Sequence, residues 1–323
     1  MTTAAEFRAM QARQDLILRV VKAYSAALVA RRNLDAAREA LRTAESSGHQ
    51  VEALEQAGMV VNADLLSARV FRAQMRDREL RTENALHLSL LALGRELGAA
   101  PDKLPEPSEE LREPNAAGMT LAEWELAALK ERPALRAAEL EQEAAASGRD
   151  LAKAEYAPRL TAFADLEHNA ETFGGPAGGN WTVGARVDLN IFAGGETRYR
   201  VAEAQARERQ GAKNLEWLRS GVCLEVQQAW FDAQSAAERA AAARDAVSQA
   251  RESLRIVQSR YDAGLVTITE LLRAQAAQLE ASAAQVAALG DWQSARAQLE
   301  RAAGRMNMDS ALLRPAANAG GAQ

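Results

Sequence analysis

Apolar residues recur along most of this chain at alternating intervals of three and four, the pattern of helices that bury one narrow stripe. Val247, Ala250, Leu254, Val257 and Tyr261 keep that rhythm, and Leu272, Ala276, Leu279, Ala283 and Val286 resume it after a short break. Such a stripe is a coiled-coil seam. No proline interrupts the run from Thr197 to Asp262, which as one helix would extend on the order of 100 Å. The break reads RYDAGLVTITELL, Arg260 to Leu272: one glycine, then Leu265, Val266 and Ile268, apolar where a turn is ordinarily polar.

From Leu160 to Phe192 the period changes to two. In WTVGARVDLNIF, the apolar positions Trp181, Val183, Ala185, Val187, Leu189 and Ile191 alternate with Thr182, Gly184, Arg186, Asp188 and Asn190. The preceding LTAFADLEHN alternates less cleanly, with Phe163 on the polar side. Between them AETFGGPAGGN predicts a loop, so the segment reads as a β-hairpin. Its strands have the length, about 9–12 residues, that a tilted strand needs to cross an outer membrane. A sheet covering a soluble core is the competing reading. A lone hairpin is only marginally stable in water, however, and no other segment reads as a strand, so its partners are expected from other chains.

The chain also repeats itself. Sliding it by 206 positions lays Gly58 over Gly264 and Gly98 over Gly304, and GMVVNADLLSAR over GLVTITELLRAQ. Alanine-rich helices match by chance, but a paired bend followed by an acid and two leucines at one offset is specific. Each copy predicts a long helix, a tight turn and a returning helix. The organisation expected is a first helical hairpin repeat over 1–98, without a β-hairpin of its own, and a linker over 99–120. A helix over 121–159 then leads into a membrane hairpin over 160–192. A second helical hairpin repeat follows over 193–304, and a disordered tail over 305–323. Pro133 fits the first turn of a helix, and Pro158 ends that helix and turns the chain toward an extended segment. The fold class is therefore mainly α: duplicated coiled-coil hairpins with one β-hairpin.

Composition narrows the chemistry. Only 5% of residues are aromatic and 26% are charged, which suits Ala/Leu seams rather than a core of large rings. The net charge is −5, with no Lys/Arg run, against a nucleic-acid partner. A single cysteine, Cys223, excludes an intramolecular disulfide and reads as a buried helix residue. His49, His87 and His168 have no ligand spacing, so no metal is expected. No phosphate loop or nucleophile constellation occurs, so neither an enzyme nor a cofactor is expected. No window reaches the apolar length of a transmembrane helix. The opening MTTAAEFRAMQARQDLILRVV lacks the apolar core of a signal peptide, which taken literally leaves the chain in the cytoplasm.

Taken in order, helix, membrane-length hairpin, long helix, YDAGL turn and returning helix resemble the TolC-type outer-membrane efflux family. The likeness rests on ERPALRAAELEQEAAASGRDLAKAEYAPRL, WTVGARVDLNIFAGGETRYRVAEAQ and RYDAGLVTITELLRAQ, and covers about Arg19 to Gly304. It implies a homotrimer in the outer membrane with a periplasmic extension: a passive exit duct for substrates delivered by an inner-membrane pump through a periplasmic adaptor protein. Trp181, Val183, Val187, Leu189 and Ile191 would face outer-membrane lipid. Gly58, Met59 and Val60, with Gly264, Leu265 and Val266, would be exposed tips docking on the adaptor. Asp64 and Glu270 would ring the tunnel aperture, which Tyr261 would help constrict. The plainer alternatives stand beside these roles. The two acids would equally suit helix N-termini, and Tyr261 falls on the seam.

One departure matters. The family carries a hairpin in each half and a signal sequence ahead of the first, yet the hairpin at 160–192, moved back by 206 positions, falls before Met1. The expectation is a member truncated at its N-terminus, through a misplaced start, a fragment or a decayed gene. Three single hairpins also fall short of the about eight strands of the smallest natural membrane barrels. A soluble coiled-coil scaffold would explain the helices but not the alternating hairpin. A periplasmic adaptor should carry further β domains. Cargo stays open among drugs, metals, proteins and polysaccharides.

Overall fold

The computed structural model describes residues 3–308 except 101, 102, 104, 105, 108, 115–118 and 171–176. The elements run α1 (Ala4–Gln56), α2 (Asn62–Leu97), α3 (Leu121–Glu131), α4 (Pro133–Ala154), β1 (Arg159–Ala170), β2 (Ala177–Asp188), α5 (Glu196–Asp262) and α6 (Ile268–Ala302). The chain is mainly helical, with one two-stranded sheet, as its periodicity predicts. Most of the expected tail, from residue 309, and the middle of the hairpin loop lie outside the described residues.

Glycine sets the helix ends. Gly58 and Gly264 both stand at φ 70°. The Gly58 N–H donates to the Glu55 carbonyl and Met59 to Leu54, each at 2.8 Å; Gly264 donates to Tyr261 and Leu265 to Arg260 at the same distance. This is the paired carbonyl cap that a left-handed residue makes possible, and a side chain there would strain the backbone. Gly98 and Gly304 close α2 and α6 with the same motif, so the sequence repeat is a structural one. At its start, α3 has a reciprocal cap between Thr120 and Glu123. Arg132 is extended ahead of Pro133, which separates α3 from α4.

The chain divides into two compact units. The larger, Arg8–Pro133 with Gly221–Gln323, holds the helical repeats. Its main core joins α1, α2 and α6 near the turns through Leu41, Val51, Leu65, Phe71, Met75, Ile268, Leu271, Leu272 and Leu279, with Leu254, Val257 and Tyr261 of α5 against it. A second cluster packs Ile17, Leu18 and Val21 on Ala297 and Met306. The helices approach closely: a Cβ on Gly290 would stand 2.5 Å from Val29 Cγ2.

A chain of charges crosses this unit. The Arg301 guanidinium of α6 donates to Asp15 of α1 at 2.7 Å and also to Glu225 of α5. Glu225 accepts in turn from the buried Arg132, whose other nitrogen donates to the Ala302 carbonyl at 2.8 Å. Burial works against the Arg301 charge, yet the hydrogen bond it donates to Asp15 and the Asp15 and Glu225 charges outweigh it and hold its pKa above the ordinary arginine value. Charge on a helix ordinarily faces solvent, and this group is an exception.

The smaller unit is Met1–Phe7 with Ala134–Ser220. In it, α4 lies along the first part of α5, tied by Arg149–Glu208 at 2.7 Å, Arg219–Glu139 at 2.9 Å and Arg200–Glu155 at 3.1 Å. The hairpin belongs to this unit.

Candidate functional site

The hairpin has two unlike faces, because opposed residues of an antiparallel pair share a side of the sheet. Leu160 opposes Val187, Ala162 Ala185, Ala164 Val183 and Leu166 Trp181, so one face is apolar over these four pairs, with His168 opposite Gly179 next in register on that side. The other pairs Arg159 with Asp188, Thr161 with Arg186, Asp165 with Thr182 and Glu167 with Asn180. Nothing among the described residues covers the apolar face: Leu166 is 88% exposed and Trp181 72%.

Phe163, the sequence's misfit, falls on the polar face opposite Gly184. Its ring lies over that glycine, where a Cβ would come within 2.6 Å of the ring, and the Arg186 guanidinium is 5.9 Å from its centroid. The missing side chain at 184 makes room for the aromatic at 163.

Pairing stops earlier than the alternation suggests. β2 ends at Asp188, so Leu189 and Ile191, read as strand residues, lie beyond the ladder. The physical reason is Pro158, which precedes Arg159 and has no N–H with which to extend the pairing. Trp181, Val183 and Val187 do lie on the apolar face of β2.

At the turns, Met59 and Leu265 are 67% and 69% exposed. Their neighbours Val60 and Val266 are half-buried, and Val60 packs on the core. Val61, 64% exposed, is an apolar tip residue that sequence reasoning passed over. The second valine of GMVVNADLL was the available signal. At the matching place in the second turn stands Thr267, whose hydroxyl caps α6 by accepting from the Glu270 N–H at 3.4 Å, whereas Val61 offers α2 no side-chain cap.

Asp64 and Glu270 both occupy the third position of their helices, where a carboxylate meets the positive end of the helix dipole. The Asp64 charge also acts on Tyr261. Burial first, then the Asp64 and Asp262 carboxylates, push the Tyr261 phenol above its ordinary pKa, and its hydroxyl is buried without a hydrogen-bond partner. Glu270 is exposed. Cys223 is half-buried, and its thiol is pushed up by burial and then by Glu125, which keeps it protonated and unreactive. Among the described residues no cluster of three His, Cys, Asp or Glu could hold a metal, and no helix is long and apolar enough to cross a membrane.

Comparison with known proteins places these features. The sequence model of the outer membrane efflux protein family matches residues 126–305, more than half of the chain. Protein CyaE of Bordetella pertussis is 28% identical over 279 residues, covering 83% of this chain; the chain spans 57% of that curated relative's length. The crystal structure of a membrane protein from Pseudomonas aeruginosa superposes with a TM-score of 0.78 at 26% identity, over 93% of this chain and 70% of that one. The open state of the Neisseria gonorrhoeae MtrE outer membrane channel shares the fold, with a TM-score of 0.78 at 21% identity over 93% of this chain and 68% of its own.

Proposed function

The chain belongs to the outer membrane efflux protein family, and on that premise we propose that it is part of a passive exit duct. It is an outer-membrane protein. Three copies would contribute hairpins to one barrel, apolar faces toward lipid and polar faces toward the lumen, while the helical repeats line a periplasmic passage. The observation that carries this reading is the hairpin itself, an apolar face over the four pairs from Leu160–Val187 to Leu166–Trp181 without cover among the described residues, and a charged face opposite. Water would oppose that exposure and lipid would favour it. Leu66, Val70, Leu80 and Leu88 of α2 and Leu224 and Phe231 of α5 are also exposed, which suits packing against neighbouring copies. No reaction and no cofactor enter; an inner-membrane pump would supply the work.

Membrane fractionation tests this directly. The chain should need detergent for extraction and cross-link as a trimer; recovery as a soluble monomer or dimer would favour a coiled-coil scaffold and defeat the duct.

The tips would dock on a periplasmic adaptor. Met59 and Leu265 are the residues to probe, because Val60 is partly committed to the core and its replacement would disturb folding as well. Met59→Asp with Leu265→Asp should reduce pump-dependent export at least tenfold without changing oligomer size on a sizing column. Unchanged export in that double variant removes the docking role.

A further inference from the structure

We infer that α5 of one copy of this chain lies antiparallel along α2 of the next, and that the copies close into a ring through this contact. This rests on the duct reading and adds which helices meet, in which direction and at which register. Leu66, Val70, Leu80 and Leu88 form a stripe on the side of α2 away from its core residues Leu65, Phe71 and Met75, and all four are more than half exposed. On α5, Leu224, Phe231, Ser235, Ala242, Gln249 and Ile256 are exposed on the side away from the buried Val226, Ala233, Ala240 and Val247. Nothing among the described residues covers either stripe.

Size and charge match when the two stripes are laid together. Both turns lie at one end of the bundle, since Val60 and Tyr261 pack on one cluster with Leu65 and Ile268. From there α2 departs at Asn62, and α5 arrives at Asp262. With the turns level, residues equally far from those two ends meet. Leu80, 18 residues past Asn62, falls between Ala246 and Ala242, 16 and 20 residues before Asp262. Leu88 and Ser235 stand 26 and 27 residues out, Val70 and Ser253 8 and 9. Large side chains on α2 thus meet small ones on α5, which lets two helices interdigitate. Glu238, Asp245 and Glu252 recur every seven residues along the α5 stripe, whereas α2 from Leu66 to Arg81 has five arginines against Asp77 and Glu79. Glu252 holds Arg255 of its own helix, but among the described residues Asp245 has no ion-pair partner nearer than Arg244 at 4.0 Å. Asp245 and Arg78 are 17 and 16 residues from their helix ends, so they fall together. Because the two stripes differ, a pair of copies leaves one of each uncovered, and only a closed ring covers them all.

The test uses two full-length chains with different tags, both carrying Cys223→Ala, expressed together and oxidised in membranes. One carries Leu80→Cys and the other Ala242→Cys. We expect a disulfide-linked pair with one of each, about tenfold more abundant than with Leu224→Cys in place of Ala242→Cys, since a disulfide needs Cα atoms within about 7 Å. Leu224 is 38 residues before Asp262, 20 beyond the level of Leu80, a displacement of roughly 30 Å. Should Ala242→Cys fail to fold by circular dichroism, Ala246→Cys takes its place. Asp245→Arg on the same chain should reduce the linked pair, and Arg78→Asp on the other chain should restore it. The inference is overturned by a missing mixed pair, by either chain linking to its own kind, by equal linkage through Leu224→Cys, by linkage to a different protein, or by no restoration in the charge exchange. A lysine-reactive reagent on the unsubstituted chain separates the two readings. A trimer without the mixed disulfide sinks the helix pairing and leaves the duct, whereas no oligomer at all sinks both.

Discussion

Phe163 and Gly184 show how one residue's fitness depends on another across a strand pair. Gly184→Val would place carbon atoms where the end of the Phe163 ring lies, so the ring must shift off the glycine. The expected outcome is a hairpin weakened by about 1–3 kcal/mol, seen as a lower melting temperature of the detergent-solubilised protein and rescued by adding Phe163→Ala. Tyr261 makes the opposite case. Its hydroxyl is buried and unpartnered, so Tyr261→Phe removes a desolvated group without removing a bond. Stability should hold or rise by up to about 1 kcal/mol in urea denaturation; a clear loss would mean that the phenol bonds to Asp64 in solution. The alternation of the hairpin was legible residue by residue, because period two is a local property. Phe163 was legible only as an exception, because the glycine that excuses it lies across the sheet.

Among the elements, the charge chain Asp15–Arg301–Glu225–Arg132 ties α1, α5, α6 and the α3–α4 junction, with Arg132 also holding the carbonyl end of α6. Arg301→Met would strand Asp15 and Glu225 with one cation between them, and should cost about 2–3 kcal/mol. Adding Glu225→Met should return part of that loss, which a double-mutant cycle in urea measures; additive losses would show that the two side chains do not act together. Nothing in the spacing of Asp15, Arg132, Glu225 and Arg301 flags them, and charge on a helix is solvated by default. Their meeting is a product of which helices lie side by side.

For the molecule as a whole, several carboxylates are depressed by their partners. Glu139 is held below the ordinary glutamate value: burial raises it, but hydrogen bonds and charge from Arg219 and Arg136 prevail. Glu123 is lowered by the Thr120 backbone and hydroxyl. A depressed folded-state value means stability that is full above the unfolded pKa and lost as pH falls through the folded one. Tyr261 is raised, so its contribution is full below the ordinary phenol value and lost as pH climbs through the folded one. Melting temperature should therefore plateau between about pH 5 and 9 and fall on either side. A melting temperature that keeps rising below pH 4 would contradict the assignment of these pairs.

What the sequence by itself determined here is whatever depends on near neighbours: helices from their period, the repeat from its offset, sharp turns at Gly58 and Gly264 because only glycine takes φ 70° without strain, and a hairpin with one apolar face. The tertiary structure alone decided which charges are buried, that Val60 is half-committed to the core while Val61 stands free, and that Gln275 is buried with its Oε1 unmatched. Those outcomes depend on pairs such as Ser47 with Gln275 or Asp15 with Arg301, hundreds of residues apart along the chain. Local periodicity carries no information about such meetings, because they arise from how whole helices pack against one another.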